Sequence, residues 1–312
     1  MKTVFFGTPE FALPILNALE AAGRTPVAVV CQPDRRSGRG RKLSPPAVKS
    51  WAIERGLEVL QPEKQKDPEF LARLEALQPD LGLVAAFGQL ITRRALETPR
   101  LGFINVHPSL IPKYRGAAPM QWTLLRGDRQ GGVSIIKVTP RLDDGDVLLQ
   151  QAVDIPEDQS LEELHDTLAA LGGDLLVQAV EALAQGPMEA RPQDAKEVIW
   201  APALTKDDGR LDWSKSALEL HNRIRGLQPW PGAWTSTKDR LLKIQRARVE
   251  SGAETQAEEP GRVLMAEGEH IVIACGEGCL RLLELQIEGK KRLDARSFLQ
   301  GRPFQVGDLL GL

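Results

Sequence analysis

Cysteine is scarce in this chain: Cys31, Cys275 and Cys279 are the only three in 312 residues. An odd count cannot pair fully, so no disulfide framework is signalled and no oxidising compartment is implied. Cys275 and Cys279 read as free thiols in a small β domain rather than as zinc ligands, and no metal site is expected. Neither sign of charge is in excess. With 40 basic and 42 acidic residues the formal net charge is −2. Global electrostatics therefore point to no polyanion, and any contact with nucleic acid has to be local. Long hydrophobic runs are missing as well: no stretch approaches the roughly 18 apolar residues that a membrane helix needs. Residues 1–6 are apolar but short, and Gly7-Thr8-Pro9 follows at once. That is a first strand, too short for the apolar region of a signal peptide, so a soluble, cytoplasmic protein with no membrane segment is expected. No Gly-x-Gly-x-x-Gly follows the first strand and there is no Walker loop, so neither a dinucleotide nor an ATP site of the usual kind is signalled.

What is present is an alternation of short apolar runs and amphipathic stretches. Val4-Phe5-Phe6 is strand-like. Thr8 can cap a helix that Pro9 opens, with Phe11, Leu13, Ile15, Leu16 and Leu19 on its apolar face. Further strands are expected at Val27–Cys31, Val59-Leu60, Leu81–Ala86 and Phe103–Val106. Helices are expected after Ser44-Pro45 and after Asp67-Pro68. Strands alternating with helices, some apolar on both faces, argue for a parallel sheet covered on both sides. Ligands of such sheets sit beyond the carboxyl ends of the strands. The loops Gly7-Thr8-Pro9, Phe87-Gly88-Gln89 and Asn105-Val106-His107 leave those ends and are expected to wall one pocket. Val133–Val138 and Val147–Val153 read as two more strands, and Ser160 with Glu163 as the capping box of a helix through Ala184.

Residues 186–206 hold several prolines and little periodicity. After them come a short helix, Ala217–Arg225, and then short runs at Leu241–Ile244, Arg262–Met265, His270–Ala274 and Leu280–Ile287, the pattern of an all-β module. Trp213, Trp230 and Trp234 read as core of this module, and His165, His221 and His270 as structural.

Three residues carry the chemistry. Asn105 and His107 end one strand, and Asp143 lies in the turn Leu142-Asp143-Asp144-Gly145-Asp146 between two later ones. In acyl transfer from one nitrogen to another, the attacking amine loses a proton, the tetrahedral oxyanion needs a donor, and the leaving nitrogen must be protonated. Asn105 can donate to the oxyanion. His107 can help there or act as acid and base near neutral pH, and Asp143 can tune His107 and shuttle protons. A second feature is the acid-free segment Arg35-Arg36-Ser37-Gly38-Arg39-Gly40-Arg41-Lys42. It is either a solvated loop or a segment that neutralises phosphates.

The stretch from Gly102 to Gly145, with Asn105-x-His107-x-Ser109-Leu110-Ile111-Pro112-x-Tyr114-x-Gly116 followed by Asp143-x-Gly145, resembles the formyltransferase family that uses 10-formyltetrahydrofolate. Ser-Leu-Ile-Pro stands where the family usually has Ser-Leu-Leu-Pro, which keeps an apolar wall. The resemblance implies Asn105, His107 and Asp143 as catalytic residues. It implies a folate cleft lined by Phe87, Gly88, Gln89 and Leu90, by Ser109, Leu110, Ile111 and Pro112, and by Arg141 and Asp144. Gly7-Thr8-Pro9-Glu10-Phe11 and the 35–42 insertion are similar to the branch that acts on methionine carried by initiator tRNA. There Arg35, Arg36, Arg39, Arg41 and Lys42 would grip the acceptor end, with Lys243 and Arg246 adding to the surface. The fold implied is α/β, a Rossmann-like catalytic domain with a mostly parallel sheet over residues 1–188. A linker over 189–206 and an OB-like β-barrel over 207–312 that binds tRNA would complete it. A monomer is expected. Within the family the alternative acceptor is a small amine, such as an amino-sugar nucleotide, which would not need the basic segment.

Overall fold

Val4, Phe5 and Phe6 are apolar toward both faces of a strand, which suits only the inside of a sheet covered on both sides. In the computed structural model, which describes residues 1–37, 42–237, 240–250, 258–301 and 304–311, β1 (Thr3–Gly7) is buried along its whole length. The chain folds as two units. One comprises Met1–Pro119, Gln130–Asp154 and His165–Pro202, the other Met120–Arg129, Ile155–Leu164 and Ala203–Leu312.

From the N-terminus the chain runs β1, α1 (Ala12–Ala21), β2 (Ala28–Val30), β3 (Arg35–Ser37), β4 (Lys42–Ser44), α2 (Ala47–Glu54), β5 (Glu58–Leu60), α3 (Pro68–Leu77) and β6 (Leu81–Ala85). It continues with α4 (Arg93–Leu96), β7 (Phe103–His107), β8 (Arg115–Gly116), α5 (Pro119–Leu125), β9 (Gln130–Lys137), β10 (Val147–Asp154), α6 (Leu161–Gln185) and β11 (Trp200–Ala201). In the first unit seven strands form one sheet in the order β10-β9-β7-β6-β1-β2-β5. β1, β2, β5, β6 and β7 are mutually parallel; β9 runs antiparallel to β7, and β10 antiparallel to β9. The mostly parallel sheet read from the sequence is therefore present. The chain builds outward from β1 to β5 and then crosses to β6 on the other side of β1, which makes the β1/β6 boundary the topological switch point. Phe6 anchors this region, edge-on to Phe87 and Phe103 with ring centroids 5.1 Å apart and to Phe70 at 6.5 Å. Burying each such ring contributes roughly 1.5–3 kcal/mol.

Local chemistry explains several boundaries. Asp67 caps α3 by accepting from the Glu69 N–H at 3.0 Å, with Pro68 in the first turn. Ser160 and Glu163 form the expected capping box of α6. Thr8 does not cap a helix. α1 begins only at Ala12, and the Thr8 hydroxyl instead donates to the Phe87 carbonyl at 3.1 Å. By length and composition alone α6 is long and apolar enough to cross a membrane, though Asp166, Asp174 and Glu181 interrupt its apolar run. Its apolar positions Leu164, Leu168, Leu175, Leu176 and Val180 are buried within the protein.

The second unit contains α7 (Ala217–Gly226), β12 (Ala233–Thr237), β13 (Arg240–Glu250), β14 (Val263–Glu267), β15 (His270–Ala274), β16 (Cys279–Ile287), β17 (Leu293–Asp294) and α8 (Ala295–Gly301). Its sheet is antiparallel throughout, in the order β12-β13-β16-β15-β14 with β17 beside β16. Leu309 bridges Arg262 and Leu310 bridges Thr237, so one C-terminal segment touches both edges of the sheet. Trp213 lies in the core and donates to the Thr235 hydroxyl at 3.0 Å. Trp230, expected in the core, stands 54% exposed beside the turn at Pro231-Gly232.

All three cysteines are buried, and burial pushes the Cys31 thiol up to about 11 and the Cys275 thiol up to about 12. Thiol reagents attack the thiolate. Both groups stay protonated at pH 8, so Ellman's reagent is expected to report no fast thiol in the folded protein and three after denaturation. A thiol titrating within minutes in native buffer would contradict this.

Candidate active site

Asn105 and His107 stand two apart in β7, so both side chains leave the same face of the strand. Asn105 pairs in register with Val84 of β6 and Ile136 of β9, and His107 pairs with Ser134. The site thus starts where the parallel part of the sheet meets its antiparallel edge. Asn105 is half-buried, and among the described residues its side-chain amide makes no hydrogen bond. It is a donor held by its strand and left unused.

His107 is 4% exposed, and its Nε2 lies 3.0 Å from the Tyr114 carbonyl oxygen. A carbonyl oxygen can only accept, so Nε2 carries a proton and the neutral ring keeps its lone pair on Nδ1. Nδ1 faces Asp143, whose Oδ2 is 3.8 Å away. That is too long for a direct hydrogen bond but close enough to stabilise a charged ring. Tyr114 presents its carbonyl from a left-handed conformation, φ 64°.

Asp143 also sits in the left-handed region, φ 50°, which Asp tolerates better than most residues. Its Oδ2 accepts from the Gly116 N–H at 3.0 Å. The motif glycines have steric reasons. A Cβ on Gly145 would come within 1.8 Å of the Lys137 carbonyl oxygen, and one on Gly116 within 2.5 Å of the Ala201 carbonyl oxygen.

The loops after β1 and β6 are tied together at the switch point. The Phe87 carbonyl accepts both from Thr8 and from Gln32 Nε2, the latter at 3.0 Å. Phe87 itself points into the core, Gly88 turns with φ 76°, Gln89 accepts from Gln65 at 3.3 Å, and Leu90 stands 70% exposed. Next to the histidine, the buried Ser109 hydroxyl donates to the Lys113 carbonyl at 2.7 Å, so it holds its own loop rather than facing a base. Ile111 is buried and fixed by Ser134 and Gln150, while Leu110 and Pro112 are partly exposed. Asp144 is turned inward against Thr139 and pairs with the exposed Arg141 at 2.5 Å.

The basic segment is not a plain loop. β3 and β4 form an antiparallel pair with Arg35 opposite Ser44, Arg36 opposite Leu43 and Ser37 opposite Lys42. Arg39 and Arg41 lie outside the described residues. Asp34, at the base, accepts from Lys49 and from Gln61, each at 2.8 Å, and the Gln61 and Lys49 hydrogen bonds hold its carboxyl below the usual range. In the second unit, Lys243 and Arg246 lie on β13. Arg246 shares the Glu284 carboxylate with Arg292, which leaves it partly neutralised.

Sequence reasoning missed the groups that hold His107 and Asp143: the Tyr114 carbonyl, the Gly116 N–H, and a contact from Gln193 to the Asp143 turn. The first two lie inside the motif and could have been suspected from it. Gln193 sits in the proline-containing stretch and gave no signal.

An amide without a hydrogen-bond partner among the described residues, a buried imidazole and a nearby carboxylate are groups that can donate to an oxyanion and carry a proton. Comparison with known proteins narrows the class. Residues 1–180 match the model of the formyl transferase family and residues 203–303 that of the formyl transferase C-terminal domain. The chain belongs to the formyl transferase family and is a formyl-group transferase. It is 44% identical over 311 residues to the methionyl-tRNA formyltransferase of Citrifermentans bemidjiense, covering 100% of this chain and 96% of that one. It is 45% identical to the enzyme of the same name from Acidobacterium capsulatum, covering 100% of both. Among solved structures, HypX from Aquifex aeolicus in complex with tetrahydrofolic acid aligns with a TM-score of 0.65 at 16% identity, over 100% of this chain and 51% of that longer one. WlaRD, a sugar 3N-formyl transferase, aligns with a TM-score of 0.67 at 15% identity, over 93% and 99%. At these identities the likeness is one of fold.

Proposed function

We propose that this chain transfers the formyl group of 10-formyltetrahydrofolate to the α-amine of methionine carried by initiator tRNA. The observation that carries the reading is the unpartnered Asn105 amide beside a buried imidazole whose Nδ1 lies 3.8 Å from Asp143. Full-length relatives of 44% and 45% identity that bear the name methionyl-tRNA formyltransferase support the choice of donor and acceptor.

The amine nitrogen attacks the formyl carbon, and the carbonyl electron pair moves onto oxygen. Asn105 donates to that oxyanion, and His107 adds positive charge once its Nδ1 has taken up the amine's proton, with Asp143 stabilising the imidazolium. The carbon–nitrogen bond to the folate then breaks, the proton passes to the departing nitrogen, and tetrahydrofolate leaves. Phe87, Gly88, Gln89 and Leu90, with Ser109, Leu110, Ile111, Pro112, Arg141 and Asp144, form the folate cleft in this reading, and no metal takes part. Arg35, Arg36, Arg39, Arg41 and Lys42 hold the acceptor end of the tRNA, with Lys243 and Arg246 adding phosphate contacts. The working form is a cytoplasmic monomer.

The test is formyl transfer from 10-formyltetrahydrofolate to methionine on initiator tRNA, on elongator tRNA, and free. Transfer to the initiator species alone is expected. Transfer to none of them, with folate still bound, would move the acceptor to a small amine.

A further inference from the structure

The segment after α6 looks like a connection in sequence, but it is stitched to both loops that frame the site. Arg191 and Val147 exchange two backbone hydrogen bonds of 2.9 Å. Ile199 O accepts from Arg115 N at 3.0 Å and Ala201 O accepts from Ala118 N at 3.2 Å, where β11 pairs with β8. Between these two anchor points lies Gln193. Its Nε2 donates to the Asp143 carbonyl at 2.9 Å and to the Gly145 carbonyl at 2.6 Å. Its Oε1 accepts from Arg115 Nε and Nη2 at 2.9 and 2.6 Å.

We infer that Gln193 is a positioning residue for formyl transfer: clamped by Arg115, it holds the turn that aims the Asp143 carboxylate at His107. The inference rests on the role proposed for Asp143. The geometry leaves little slack. Asp143 is in a left-handed conformation, and one oxygen of its carboxylate is shared between the Gly116 N–H and the side facing His107 Nδ1. Both carbonyls bound by Gln193 lie within the turn, so removing the side-chain amide frees two acceptors at once. Arg115 fixes the amide so that its NH₂ end faces the turn, because a guanidinium can only donate. Arg115 and Gly116 follow Tyr114, the partner of His107, so a single brace spans the supports of both side chains.

The experiment is a double-mutant cycle on the full chain. Gln193→Met keeps side-chain length and removes the donors; Asp143→Asn removes the carboxylate charge; the double variant closes the cycle. A displacement of about 1 Å at a reacting group can cost about a hundredfold, so Gln193→Met is expected to lower kcat about 10- to 100-fold. KM for the amine acceptor should change less than about twofold, while KM for folate rises modestly because the freed turn also carries Asp144 of the proposed cleft. In the Asp143→Asn background the same substitution should cost almost nothing. An equal fall in both backgrounds, or an effect confined to KM, would overturn the inference. Near-normal turnover of Asp143→Asn by itself would remove the role of Asp143, and the inference with it, and would be read in that single variant. Gln193→Glu keeps the acceptor for Arg115 and removes both donors, and gives the same reading if the methionine variant is unstable.

Discussion

Replacing His107 with alanine is expected to lower kcat for formyl transfer by about 10²- to 10⁴-fold, the range over which a positioned acid or base contributes. The ring's two nitrogens are committed differently. Nε2 is held at 3.0 Å by the Tyr114 carbonyl, and Nδ1, the nitrogen with the free lone pair, looks toward Asp143. Alanine removes the proton acceptor and the charge that would face the oxyanion, and it leaves Asn105 as the remaining donor. The loss should fall on kcat, with KM for folate and for tRNA little changed, because a buried ring offers little surface for substrate binding. Stability should fall as well. The Tyr114 carbonyl loses its hydrogen bond from the imidazole, at a cost of about 0.5–1.5 kcal/mol. A thermal melt alongside single-turnover kinetics separates the two effects. Near-normal turnover in a folded His107→Ala protein would sink the mechanism.

The sequence places Asn105 and His107 at the end of one strand and Asp143 in the turn between two others, and the structure puts them in those elements. Asn105 and His107 lie in one strand, β7, at a spacing that puts them on one face. Asp143 sits two residues before Gly145, the residue that allows its turn to lie against Lys137. The strands of this sheet were legible from apolar runs, though not their order β10-β9-β7-β6-β1-β2-β5. What was not legible has a common cause: it depends on contacts between segments far apart in sequence. Phe87 leaves its ring against Phe6 after the left-handed turn at Ala86, so only its backbone is available to the proposed cleft. Thr8 has the chemistry of a cap, yet the nearer demand is the Phe87 carbonyl across the switch point. Trp230 is large and apolar, but its turn lies at the surface. Gln193 carries no pattern at all; its importance appears only once Arg115 and the Asp143 turn are beside it.

Substituting the basic segment is expected to act on the acceptor and leave the folate untouched. With Arg35, Arg36, Arg39, Arg41 and Lys42 all changed to alanine, affinity for charged initiator tRNA at about 0.1 M salt should drop on the order of 10²- to 10³-fold. The reason is counterion release. Each neutralised phosphate on a single strand contributes about 0.7 to the slope of log affinity against log salt, so removing most of five such cations takes away several decades at low salt. The slope itself should flatten by about 0.7 for each phosphate no longer neutralised, which a change of shape or stability would not produce. The hairpin should survive the substitutions, because its base is tied by Asp34 to Lys49 and Gln61, all outside the altered set. Folate affinity is expected to stay within about twofold, since none of the five residues belongs to the loops after β6 and β7 that form the proposed cleft. Filter binding over a salt series measures the slope directly, and a folate titration of the same variant supplies the control. An unchanged slope would make the segment a solvated hairpin. Activity on tRNA would then have to draw its phosphate contacts from elsewhere, and Lys243 on β13, which unlike Arg246 does not share the Glu284 carboxylate, would be the next residue to substitute.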